Sequence, residues 1–106
     1  MSDLFPNRHV EEDMTRKFIC ILYIRGERTE DIRQNGMNPF DIWNTMDYKA
    51  YLESVIPIIL NRLINNGVRQ DLLRFDNGTN KIILTESGRR WCENINCRRI
   101  PGVFDE

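Results

Sequence analysis

Lysine and histidine are scarce in this chain, with three lysines (Lys17, Lys49 and Lys81) and one histidine, His9, among 106 residues. The net charge is −1 and the pI about 5.9, so the basic excess that accompanies indiscriminate nucleic-acid binding is missing. A local basic face remains open, because the chain carries twelve arginines beside sixteen acids. A lone histidine far in sequence from every cysteine leaves no nucleophile–base pair with a third orienting group. No glycine-rich phosphate loop follows a strand. The acidic groups Glu11-Glu12-Asp13 and Glu30-Asp31 are explained by helix N-terminal charge. No enzyme, no catalytic residue and no cofactor is therefore expected. No run of 18 apolar residues is present, so no membrane span is expected. The opening MSDLFPNRHVEED has no basic stretch leading into an apolar core, so no signal peptide is expected and the location is read as cytoplasmic. Cysteine is sparse and odd in number: Cys20, Cys92 and Cys97 are expected to be free thiols in a reducing compartment. Cys20 lies in FICILYI and reads as core. A zinc site would need ligands beyond Cys92 and Cys97, and the only histidine is distant, so no metal site is expected.

What is present is the patterning of one soluble domain, with 41% hydrophobic and 29% charged residues. Residues 1–10 read as an arm, 11–97 as the folded domain and 98–106 as an irregular tail. Met14, Phe18, Ile21, Leu22 and Arg25 fall at helical spacing, which predicts a helix over about 11–25, with acids at its start and Gly26 as its stop. Thr29 is placed to cap a short helix over about 30–35. Asn38-Pro39 is placed to start another, with Asn at N-cap and Pro at N1. Phe40, Ile42, Trp43 and Met46 are its expected apolar contacts. Leu52, Val55, Ile56, Ile59, Leu60, Leu63 and Ile64 form a wide apolar stripe before Asn66-Gly67, which reads as a helix end. Pro57 belongs in a first turn, so a break between Tyr51 and Ser54, with Ser54 as N-cap, is favoured over one long kinked helix. The runs VRQDLLRF and NKIIL flank Asn77-Gly78, a hairpin signal whose turn positions call for positive φ. Thr85 then caps a helix over about 86–96, with Trp91 and Ile95 turned inward.

The stretches LNRLINNGVRQDLL and IILTESGRRWCENI, with the Leu84-Thr85-x-x-Gly88 element inside the second, resemble the winged helix-turn-helix superfamily. They are similar to small prokaryotic regulators of the MarR-like and PadR-like kind. The resemblance covers the last two-thirds of the chain well and the first third loosely. It implies a mostly α fold with a small antiparallel β-hairpin, three packed helices, and often a homodimer. It also implies DNA binding, with the third helix in the major groove and the hairpin wing on adjacent phosphates. Carried onto this chain, the outward positions are Tyr51, Ser54, Pro57, Asn61 and Arg62. The wing offers Arg74, Lys81 and the tip from Asn77 to Asn80, with Arg69 at its base. Asparagine suits adenine and arginine suits guanine in bidentate pairing.

The sequence departs from a strong DNA binder in the third helix. Cations there are few, Glu53 repels phosphate, and Ile58 widens the apolar stripe. The leading expectation is a dimeric, non-catalytic DNA-binding transcriptional regulator, nucleoid-associated in consequence. The alternative is a winged-helix adaptor that binds protein, and a third reading is a small-molecule-sensing regulator. A contiguous positive face over the third helix and wing speaks for DNA, and an apolar patch there speaks for a protein partner.

Overall fold

A computed structural model describes residues 5–46, 48 and 51–100 of the chain. Helix α1, Arg8–Arg28, begins because the Asn7 side chain accepts a hydrogen bond from the Val10 N–H at 3.0 Å. It therefore starts inside the segment read as an arm. Phe5, also in that segment, is buried. The expected stop at Gly26 does not operate, since that glycine keeps helical φ and the helix runs on until Thr29 turns extended. Met14, Phe18, Ile19, Cys20, Ile21, Leu22 and Ile24 are all buried along α1. More of its circumference is covered than one stripe predicts, because α1 runs through the centre of the molecule and every other helix packs on it.

Helix α2, Glu30–Asn35, follows with Thr29 as N-cap but without a side-chain capping bond. Helix α3 spans Pro39–Met46, and the Asn38 side chain accepts from the Phe40 N–H at 2.9 Å, as the Asn-Pro signal implies. Ile42, Trp43 and Met46 enter the core, whereas Phe40 stays exposed. Helix α4 spans Ile56–Arg69 with Pro57 in its first turn and Val55 as N-cap. The break ahead of Pro57 is thus present, but Ser54 lies in the preceding turn and does not cap. The helix continues through Asn66-Gly67, because Gly67 also keeps negative φ.

Strands β1, Leu73–Asp76, and β2, Lys81–Leu84, pair antiparallel with Leu73 opposite Leu84 and Asp76 opposite Lys81. The connecting loop holds four residues, 77–80, and its positive φ falls on Asn80 rather than on Asn77-Gly78. Asp76 sets this: its carboxylate accepts from the Gly78 N–H at 3.1 Å and from the Thr79 hydroxyl at 2.9 Å. On the other edge of β2, Met37 forms an isolated bridge to Ile82, its N–H donating at 3.0 Å and its carbonyl accepting at 2.9 Å. That bridge, together with β1, seals Ile82 in the core.

Helix α5, Glu86–Ile95, closes the fold and supplies the reason for the Leu84-Thr85-x-x-Gly88 pattern. The Thr85 hydroxyl accepts from the Gly88 N–H at 2.9 Å and donates to the Asp71 carbonyl at 2.6 Å. Gly88 lies so near the Leu72 carbonyl that a Cβ would sit 2.2 Å from that oxygen. One threonine thus caps α5 and ties it to the end of α4, and a glycine lets it lie there.

The expectation of three free thiols is overturned. Cys20 and Cys97 form a disulfide across 77 residues of sequence, and Cys92 is the free, buried cysteine. The short 3-10 turn Cys97–Arg99 is what returns Cys97 to the middle of α1, a placement no local pattern reveals. No helix among the described residues is long and apolar enough to cross a membrane. Residues 1–4 and 101–106, which include Leu4, Val103 and Phe104, lie outside the described residues, as does Lys49.

Candidate interaction surface

The residues singled out from the sequence do not gather on one face. Tyr51 precedes α4 and packs inward, edge-on to Trp43 at 5.9 Å, with its hydroxyl 3.9 Å from the Met14 sulfur. Ser54 is exposed in the turn before α4. Neither occupies the helix that the resemblance assigned them, because Pro57 confines the helix start to Ile56. Arg62 turns back to α1, where its guanidinium meets both Glu11 oxygens at 3.2 and 3.3 Å and lies 5.8 Å from the Phe5 ring centre. Asn66, one turn further on, is buried between the same helices. Its amide donates to Glu11 at 2.8 Å and to the Thr15 hydroxyl at 3.1 Å, and its oxygen accepts from Arg69. Arg62 and Arg69 are therefore held toward α1 by one carboxylate–amide cluster, beside a cleft of about 550 Å³ whose lining includes Arg8, Glu11, Glu12 and Arg16.

On the hairpin, Arg74 and Asn77 are exposed. Successive strand residues face opposite sides, so Arg74 points away from the side shared by Leu73 and Phe75. Lys81 lines a separate cleft with Asp31 and Asp41, toward α2 and α3. Of the proposed contact residues, Pro57 and Asn61 lie on the outer face between α3, α4 and the hairpin, with Asn80 of the hairpin tip beside them.

That face is apolar. A groove of about 220 Å³ lies between the three elements, with Phe40, Pro57, Leu60, Ile64 and Phe75 in its walls and Asn38, Asn61 and Asn80 on its rim. Phe40 is 49% exposed, Phe75 39%, and Ile58, on the outer side of α4, 56%. Among the described residues, no charged residue lines the groove. The exposure of Ile58 agrees with the wide apolar stripe, whereas Phe40, expected among the apolar contacts of α3, is exposed. The exposure of Phe75 was hidden because its strand alternates only once before the turn.

The buried cysteines form a second concentration of chemistry, away from this face. Their sulfurs, on α1, on α5 and in the terminal turn, all lie within 4.8 Å of one another. Burial pushes the Cys92 thiol from its ordinary 9.0 up to about 12, with Arg89 opposing the shift and Glu93 adding to it. The folded state keeps this proton to higher pH than the unfolded chain does. Its contribution is full below about pH 9 and falls as pH rises toward about 12, by at most ~1.4 kcal/mol per pH unit. Urea titrations across that window are expected to show a steeper decline for the wild type than for Cys92→Ala. Equal slopes would show that Cys92 does not titrate differently on unfolding.

Comparison with protein-family models, with curated proteins and with solved structures finds no match for this chain.

Proposed function

We propose that the protein is a non-catalytic winged-helix module that pairs with a second copy of itself through the face formed by α3, α4 and the hairpin. The observation that carries this reading is the uncharged apolar groove where a DNA-binding member of the fold would present cations. The order α1, α2, the Met37 bridge, α3, α4, β1, β2, α5 supports the winged-helix part of the proposal. A second copy suits the face for two reasons. Phe40 lines the groove half-exposed, with Ile58 exposed on a neighbouring side of α4, and the asparagines of the lining put no like charges across a two-fold axis. DNA binding in transcription regulation is the second reading, favoured by the same element order and by exposed Arg74 and Asn77 on the hairpin.

Sedimentation equilibrium tests the proposal. The wild type is expected to show a concentration-dependent dimer. Phe40→Asp/Ile58→Asp, at two exposed sites, is expected to raise its dissociation constant by about a hundredfold or more, with unchanged circular dichroism, because each substitution enters an isologous interface twice. A strictly monomeric wild type, or a dimer indifferent to both substitutions, overturns the pairing. Fluorescence anisotropy with random double-stranded DNA decides the second reading. Salt-sensitive binding that Arg74→Ala weakens restores DNA as the ligand, and no binding at low salt removes it.

A further inference from the structure

All three cysteines of the chain meet at one buried point, and the groove described above has no part in it. Cys20 comes from the middle of α1, Cys92 from α5 and Cys97 from the terminal turn, and they are 0%, 1% and 2% exposed. Their sulfurs lie mutually within 4.8 Å, and no histidine, aspartate or glutamate among the described residues joins them. In the disulfide form, Cys92 stands beside Cys20–Cys97 as a third sulfur without a bond to either.

We propose that the reduced protein uses Cys20, Cys92 and Cys97 as a buried three-thiolate site for one soft, thiophilic d10 cation. The donor set selects the class of ion: three sulfurs, joined by no carboxylate or imidazole among the described residues, suit a soft cation rather than magnesium or calcium, and they leave a tetrahedral zinc site one such ligand short there. The spacing fits as well. A cation about 2.3 Å from each of three sulfurs in a plane holds them about 4 Å apart, inside the 4.8 Å within which all three already lie. The Cα atoms of Cys20 and Cys97 are 5.4 Å apart, so the backbone already holds the two ligands adjacent.

The disulfide and the metal site are alternative states of the same sulfurs. Opening the disulfide takes two electrons and two protons, supplied by a small-molecule thiol that is itself oxidised to its disulfide. Loading then forms three sulfur–metal bonds and breaks three S–H bonds, releasing three protons to solvent with no change in oxidation state. Site occupancy is thereby coupled to the thiol redox state of the surroundings.

Cadmium(II) is the probe. The full chain is reduced with a phosphine in the absence of air, its fold is checked by circular dichroism, and it is titrated while the ultraviolet thiolate-to-metal charge-transfer band is read. One cadmium per chain, about three protons released per metal and a raised melting temperature are expected. Cys92→Ala leaves the other two sulfurs in place and is expected to weaken binding by about tenfold or more with a smaller band. Absence of the band in the folded, reduced wild type overturns the proposal. So does binding that Cys92→Ala leaves unchanged, which would reduce the site to a two-cysteine pair. The disulfide form, titrated in parallel, is expected not to bind, and equal binding by both forms would also overturn it.

Discussion

Gly36→Ala is expected to lower stability by about 3 kcal/mol or more, the largest effect of any single methyl group in this fold. Gly36 caps α2 at φ 88° and ψ −172°, a conformation open essentially to glycine alone. A Cβ there would lie 2.1 Å from the Ile82 carbonyl oxygen and 2.8 Å from its carbon. Both obstacles are backbone of β2 and cannot swing aside. Relief requires the α2–α3 link to lift away, which breaks the paired Met37–Ile82 hydrogen bonds and opens the seal over a fully buried isoleucine. The backbone conformation and the clash each cost roughly 1–3 kcal/mol. Gly78→Ala serves as the comparison, since its Cβ would meet nothing closer than an Asp76 carboxylate oxygen at 3.5 Å. Urea unfolding is expected to place Gly78→Ala within about 1 kcal/mol of the wild type and Gly36→Ala far below it. A Gly36→Ala protein as stable as the wild type would mean that the Met37 bridge does not hold α2 and α3 to the hairpin.

Opening the disulfide is expected to cost about 4 kcal/mol in the metal-free protein. The Cys20–Cys97 bond closes a loop of 77 residues, and the entropy it removes from the unfolded chain grows slowly with loop length, reaching about 4 kcal/mol here. The whole stability of a domain this size is of order 5–15 kcal/mol, so the reduced protein stays folded but with much of its margin gone. Comparing the oxidised with the reduced protein isolates the covalent term, whereas Cys20→Ala/Cys97→Ala adds the cost of the cavities its two buried sulfurs leave. Guanidinium unfolding of the oxidised, reduced and doubly substituted proteins is the measurement. Equal midpoints for the oxidised and reduced proteins would show that the bond is absent in solution or contributes nothing. Restoration of the lost midpoint by cadmium in the reduced protein would tie this result to the three-sulfur site.

Much of the helical framework is legible locally. Asn38-Pro39 starts α3, Pro57 confines the start of α4, and Thr85 caps α5, because each signal acts through bonds within a few residues of itself. The two strands are legible for the same reason. The helix stops expected at Gly26 and Gly67 do not form, because glycine permits a left-handed turn without requiring one, and only the packing at each position decides. The hairpin loop departs from expectation in a similar way. Asp76, one residue outside the turn signal, draws Gly78 and Thr79 onto its carboxylate and moves the positive φ to Asn80.

The candidate sites were less legible. That Arg62 faces Glu11, 51 residues away, is decided by where α1 crosses α4. That Phe40 and Phe75 line one groove is decided by the packing of α3 and of β1 against α4. By itself the sequence determined the five α-helices and two strands, the starts of α3 and α5, and the shortage of cations on α4, all of which depend on residue type and short spacing. The tertiary structure alone decided that an apolar groove forms between α3, α4 and the hairpin, and that three cysteines spread over 77 residues share one point. Contacts between distant segments depend on how the helices pack around α1, and local sequence periodicity carries no record of that packing.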